Sequence, residues 1–223
     1  NASKSKQATS RKKLIEKLRP EEMPVSSRRS PYINFKPHRK CGENIVELSN
    51  VSHSIGGTQV LKNVSFKVLK NEKVAIVGEN SISKTALLDI LSGEITPDSG
   101  EIKWGETITH SYFPKDNSDF FSEDIELLDW IGQHSDSDDT QYLRGFLGRM
   151  LFSGEAVEKP VKVLSGGEKA RAMFSKIMLT EGNVLILDDP TDHLDLEAIS
   201  SLNDGLMNFP ECLIFSSHDF QLL

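Results

Sequence analysis

Four places in this sequence carry side chains able to handle a polyanion. Lys84 and Thr85 close the run Gly78-Glu79-Asn80-Ser81-Ile82-Ser83-Lys84-Thr85. The lysine brings a full positive charge, and the threonine brings a hydroxyl that can join the coordination shell of Mg²⁺. Asp188 and Asp189 end the apolar run Val184-Leu185-Ile186-Leu187. The first carboxylate is placed to hold Mg²⁺ directly or through water, and the second to orient or deprotonate an attacking water. His218 follows a second apolar run, Cys212-Leu213-Ile214-Phe215. Ser165-Gly166-Gly167-Glu168 opens a helical pattern, where glycines expose amides and the serine adds a hydroxyl, a second seat for an anion. Together these groups suit phosphoryl chemistry on a nucleoside triphosphate.

The elements that must position them are legible around each. Val74-Ala75-Ile76-Val77 reads as a buried strand before Gly78, and Ala86-Leu87-Leu88-Asp89-Ile90-Leu91 as a helix after Thr85. Strand, tight loop and helix form the layout of a phosphate-binding loop, whose helix start offers free N–H groups and a positive dipole end. Ser83 stands where the usual loop has glycine, and a side chain at positive φ costs roughly 1 kcal/mol or more. Read alone, the stretch fits a phosphate loop and an ordinary strand-turn-helix equally well. A strand ending in Asp188 and another ending before His218 would bring both to the ligand edge of an open α/β sheet.

Strands are also expected over Ile45-Val46-Glu47-Leu48, Val60-Leu61 and Val64 to Val68, with Gly56-Gly57 as a turn, and later at Glu101 to Trp104 and Ile108 to Phe113. Between about 116 and 165 the pattern turns helical, over Ile125 to Ile131 and Tyr142 to Leu151. An acidic, Ser-rich surface loop separates those two stretches. The helix opened by Ser165 runs to about Leu179.

The net charge of −7 conceals an asymmetry. Residues 1–40 hold twelve Lys and Arg against three Glu, a balance of +9, while the remainder stands at −16. Residues 2–18 lack Gly and Pro and read as a helix, either a solvated spacer or an arm laid along phosphate backbone. Pro20, Pro24, Pro31 and Pro37 then punctuate an extended linker. No apolar run approaches the roughly eighteen residues needed to span a membrane. The polar, basic start is unlike a signal peptide, and Cys41 and Cys212 form no recognisable spacing, so a reducing cytoplasm is the expected setting. A start at Asn1 and a stop at Leu222-Leu223 point to a segment of something longer.

The order Gly78 to Thr85, Leu164-Ser165-Gly166-Gly167-Glu168, Val184 to Asp189 and His218 resembles the nucleotide-binding domain of ATP-binding cassette proteins. The fuller wording through Lys169-Ala170-Arg171, and Asp188-Asp189-Pro190-Thr191-Asp192-His193-Leu194-Asp195, resembles the ABC-F branch, ATPases that act on the ribosome. The basic arm and Ser30-Pro31-Tyr32-Ile33 are similar to the linker of its YbiT-like group. The resemblance implies an α/β fold, a P-loop cassette with a β-rich antiparallel subdomain and a helical signature subdomain. It divides the chain into an arm and linker, 1–42, and a C-terminally truncated cassette, 43–223.

It also implies a site. Gly78, Glu79, Asn80, Ser81, Ile82, Ser83, Lys84, Thr85 and Ala86 would cradle ATP, with Lys115 nearby, while Thr85 and Asp188 would hold Mg²⁺. Asp189 would take the place of the catalytic glutamate and His218 that of the switch histidine. Ser165, Gly166, Gly167 and Glu168 would complete a site in a second cassette, expected in a missing N-terminal half, and residues 1–40 would meet the ribosome or tRNA. Several positions depart from the pattern: Ser81 and Ser83 replace glycines, Lys115 replaces glutamine after Tyr112-Phe113-Pro114, Asp189 replaces glutamate, Asp192 replaces asparagine, and Ile55 falls where an aromatic ring stacks on adenine. Shortening Glu to Asp withdraws the carboxylate by about one C–C bond, and a misplacement of about 1 Å costs ~10²-fold in rate. The expected activity is therefore impaired ATP hydrolysis coupled to translation. The ATPase subunit of a membrane transporter and a non-catalytic degenerate cassette stand as alternatives.

Overall fold

The computed structural model describes residues 29–219. The helix expected over residues 2–18 and the last four residues lie outside that range.

The described residues form two sheets. In the first, β1 (Asn44–Ile55) pairs antiparallel with β2 (Thr58–Leu69) on one side and with β4 (Ser99–Trp104) on the other. Gly56 and Gly57, both at positive φ, turn the hairpin. Val60-Leu61 and Val64 to Val68, expected as two strands, are one. The register shifts between Val51 and His53, beside Asn63 at φ 49°, and the strand continues past the irregularity.

The second sheet is parallel, in the order β3 (Lys73–Ile76), β7 (Cys212–Ser216), β6 (Val184–Asp188), β5 (His110–Phe113). β6 and β7 lie in the middle and every one of their residues is buried, which is why both read as unbroken apolar runs. Their alternation feeds two cores. Leu185, Leu187, Leu213 and Phe215 face one core with Phe113, Phe174 and the helices of the insert. Val184, Ile186, Cys212 and Ile214 face the other, against Leu87, Leu88 and Leu91 and the antiparallel sheet. The strand before Gly78 is not buried as expected: Val74 and Ile76 are half-covered and Lys73 and Ala75 exposed, because β3 is the edge strand.

Among the described residues five α-helices complete the fold: α1 (Ser81–Ser92), α2 (Leu127–Gly132), α3 (Thr140–Arg149), α4 (Gly166–Thr180) and α5 (Leu196–Asn208). The last lies in a stretch with no expected helix. Asp195 caps it, accepting from Ala198 N–H at 2.8 Å, and Ala198, Leu202 and Leu206 form its buried stripe at i, i+4 spacing.

Residues 30–42 contain no helix or strand, in keeping with their prolines, yet they are docked along the domain. Ile33 and Phe35 belong to the larger core and Cys41 to the smaller. Phe35 meets Phe174 and Phe209 edge-on at 6.4 and 6.5 Å. Tyr32 N–H donates to Arg149 O and His38 N–H to Glu181 O, both at 2.9 Å.

Candidate nucleotide-binding site

Parallel strands put all their C-terminal ends on one edge, and there the loops after β3, β5, β6 and β7 converge. The phosphate-loop candidate is shorter than expected. Its helix begins at Ser81, not after Thr85, capped by Asn80, whose Oδ1 accepts from Ser83 N–H at 3.2 Å. No residue from Gly78 to Ala86 has positive φ. Ser83 is therefore not strained: it is helical, and its hydroxyl donates to Val60 O at 2.8 Å, fastening α1 to β2. The helix start places Ser81 and Ile82 in the first turn, where backbone N–H groups lack partners within the helix. Glu79 and Ile82 are exposed, Ile82 at 59%, while Ala86 is buried beneath the helix.

Lys84 is 4% exposed, and its ammonium donates to His218 Nε2 at 3.0 Å, with that ring nitrogen acting as acceptor. One residue on, the Thr85 hydroxyl donates to Asp188 Oδ2 at 2.6 Å. Asp188 is fully buried at the end of β6. Burial pushes its carboxyl up, and the bonds from Ser216 and Thr85 work against that shift. Ser216 escaped the sequence reading. It stands directly opposite Asp188 in the parallel register, donates its hydroxyl to Asp188 Oδ1 at 2.5 Å and accepts from Asp189 N–H at 3.0 Å.

Asp189 turns the chain with φ 45°, a left-handed conformation uncommon outside glycine, and its carboxylate is almost wholly buried. Oδ2 receives the Lys115 ammonium at 2.6 Å and lies 3.8 Å from His218 Nε2. Oδ1 is buried with no hydrogen-bond partner. Lys115 also donates to Ser81 Oγ at 2.9 Å. Its bond to Asp189 is the main cause of its raised pKa.

Ser165, Gly166, Gly167 and Glu168 lie elsewhere. No hydrogen bond or ion pair among the described residues joins them to Lys84, Thr85 or Asp188. They form the start of α4 as a capping box: Glu168 Oε2 accepts from Ser165 N–H at 2.8 Å, and Ser165 Oγ accepts from Glu168 N–H at 3.4 Å. Both glycines touch the turn that follows Asp189. A Cβ on Gly166 would lie 3.2 Å from His193 Cγ, and one on Gly167 3.0 Å from His193 O.

Lys84, Thr85, Asp188, Asp189, Lys115 and His218 thus form one connected polar patch, with a cation and a helix N-terminus for phosphate oxygens and hard oxygens for a divalent ion. Comparison with known proteins agrees with this chemistry. A family model described as ABC transporter matches residues 61–192. The uncharacterized ABC transporter ATP-binding protein YkpA of Bacillus subtilis (strain 168) is 52% identical over 225 residues, covering 100% of this chain and 42% of the relative. The probable ATP-binding protein YbiT of Escherichia coli O157:H7 is 42% identical over 220 residues, covering 98% of this chain and 42% of its own length. The chain therefore spans less than half the length of these relatives. The structure of cbiO1 from Clostridium perfringens, part of the ABC transporter complex cbiONQ, shares the fold with a TM-score of 0.56 at 22% identity, covering 80% of each chain. No described helix is long and apolar enough to cross a membrane. The chain belongs to the ABC transporter family of ATPases and is an ATP-binding cassette of the ABC-F-like kind.

Proposed function

We propose that this cassette binds ATP with Mg²⁺ against a second cassette, hydrolyses it slowly, and couples the cycle to the ribosome in the cytoplasm. The observation that supports this best is the meeting of Lys84, Thr85, Asp188, Asp189 and His218 at one sheet edge, with Lys84 hydrogen-bonded to His218, Thr85 to Asp188, and His218 3.8 Å from Asp189. The donor set fits Mg²⁺: the Thr85 hydroxyl and the Asp188 carboxylate are hard oxygens in direct contact, leaving the remaining positions to phosphate oxygens and water. Mg²⁺ held there would draw charge from the β- and γ-phosphates.

The chain's own groups would do the rest. Lys84 and the first amides of α1 bind phosphate oxygens, Lys84 exchanging its His218 bond for one of them. His218, 62% exposed in its side chain, is then free to face the γ-phosphate. Asp189 accepts a proton from water, the water oxygen bonds to the γ-phosphorus, and the bond to the bridging oxygen breaks, releasing ADP and phosphate. ABC domains work in pairs, so Ser165, Gly166, Gly167 and Glu168 would close the partner's site. The +9 balance of residues 1–40 suits contact with RNA phosphates.

A second reading, nucleotide binding without turnover, is favoured by the Lys115 ammonium already engaged on Asp189. One experiment separates them: ATP turnover by the full chain with and without ribosomes. The main reading expects slow turnover that ribosomes raise and Lys84→Ala abolishes. Turnover indifferent to both changes overturns it, and tight ATP binding with no turnover selects the second.

A further inference from the structure

Three of the positions at which this chain departs from the family pattern meet through one side chain. Ser81 replaces a glycine, Lys115 a glutamine and Asp189 a glutamate, and the Lys115 ammonium bridges the other two, at 2.9 Å from Ser81 Oγ and 2.6 Å from Asp189 Oδ2. One substitution supplies a cation and the other two supply its acceptors. An ammonium has three donors, so one remains for a further oxygen. The bridge spans the place a triphosphate must enter, from the first residue of the helix that would seat it to the carboxylate at the end of the neighbouring strand. Asp188 and Asp192 add their charges around the same ammonium. The Asp189 carboxylate is desolvated, and its other oxygen has no partner. The positive charge of Lys115 thus stands directly against a carboxylate that water barely reaches.

We propose that Lys115 is a tethered cation that shares the work of the divalent ion in this site, so that the chain holds a nucleoside triphosphate with little dependence on Mg²⁺. The ammonium balances Asp189, keeps its charge from repelling the γ-phosphate, and presents its remaining N–H to a phosphate oxygen. A glutamine at this position carries no charge, so binding would then need the metal to balance the carboxylates. Lys115 acts here on binding, as a specificity-determining residue, and the proposal rests on the reading of this edge as a triphosphate seat.

The test is equilibrium binding of trinitrophenyl-ATP to the full chain, in excess Mg²⁺ and in EDTA, for the wild type, Lys115→Gln and Lys115→Arg. The Lys115 side chain is 34% exposed, and circular dichroism checks that the variants keep the fold. Removing Mg²⁺ should weaken the wild type less than about threefold and Lys115→Gln about tenfold or more, the scale of one charge-assisted contact. Lys115→Arg should behave like the wild type. Probe binding with the same Mg²⁺ dependence in the wild type and Lys115→Gln overturns the tethered cation and leaves the triphosphate seat standing. No probe binding in either condition overturns both.

Discussion

Asp189 holds its carboxylate in a position set by backbone strain and by a neighbour. With φ at 45° it turns out of β6, and Lys115 fixes one oxygen. Lengthening the side chain by one methylene in Asp189→Glu moves the carboxylate about one C–C bond closer to an attacking water, so turnover should rise by about tenfold or more, measured as phosphate release. Unchanged turnover would show that reach is not what limits the site. Ser83 carries the opposite lesson. Its position in the motif suggested a strained residue replacing a glycine, but the hydroxyl donates to Val60 O inside the first turn of α1. Ser83→Gly should therefore lower stability by about 1–2 kcal/mol, through the lost hydrogen bond and the added backbone freedom, read as a lower urea midpoint. A midpoint unchanged or raised would restore the strained-loop view. The charged groups were legible because lysine, aspartate and histidine at strand ends have few other reasons to be there. Ser216 was not, because a lone serine beside a strand carries no signal until its register partner, Asp188, is known.

At the scale of the element, caps and docked segments decide which ends are firm. The α4 start is a reciprocal box in which burial raises the Glu168 carboxyl, while the bonds from Ser165 and Lys159 outweigh that and leave it below its usual value. A carboxylate depressed on folding stabilises the native state above its unfolded pKa, near 4.3, and that contribution disappears as pH falls through the folded value. Glu168→Ala should cost about 1 kcal/mol at neutral pH and make stability less sensitive to acidification below pH ~4. Urea midpoints across pH for both proteins check this, and parallel curves would remove the charge from the account. The strap over residues 30–42 depends on a bare backbone at Gly205, where a Cβ would come within 2.9 Å of Ile33 O. Gly205→Ala should push Ile33 and Phe35 off α5, seen as a lowered melting temperature and added protease cleavage near residue 33. Cleavage unchanged would mean that the strap tolerates the methyl group. The two α-helices of the insert were readable from apolar spacing, though their ends fall one or two residues from those expected. The strap was not, because prolines announce an extended backbone but say nothing of what it lies against, and Ile33 and Phe35 find their pocket only after α4 and α5 are assembled.

For the whole molecule, the parallel order β3-β7-β6-β5 makes one site out of residues scattered from 78 to 218. Its middle strands were evident as continuous apolar runs, and the order of the motifs indicated their common edge. The exposure of β3 was not evident, since an edge strand and a central strand spell similar apolar runs, and only neighbours tell them apart. This edge is proposed to read a triphosphate through Lys84. Calorimetric titration of ATP and of AMP into the full chain, with Mg²⁺ present, measures it directly. ATP should bind at least ~100-fold tighter than AMP, an advantage worth about two charge-assisted contacts, and Lys84→Ala should lose most of that difference. Equal affinity for the two nucleotides, or an ATP preference untouched by Lys84→Ala, would contradict it.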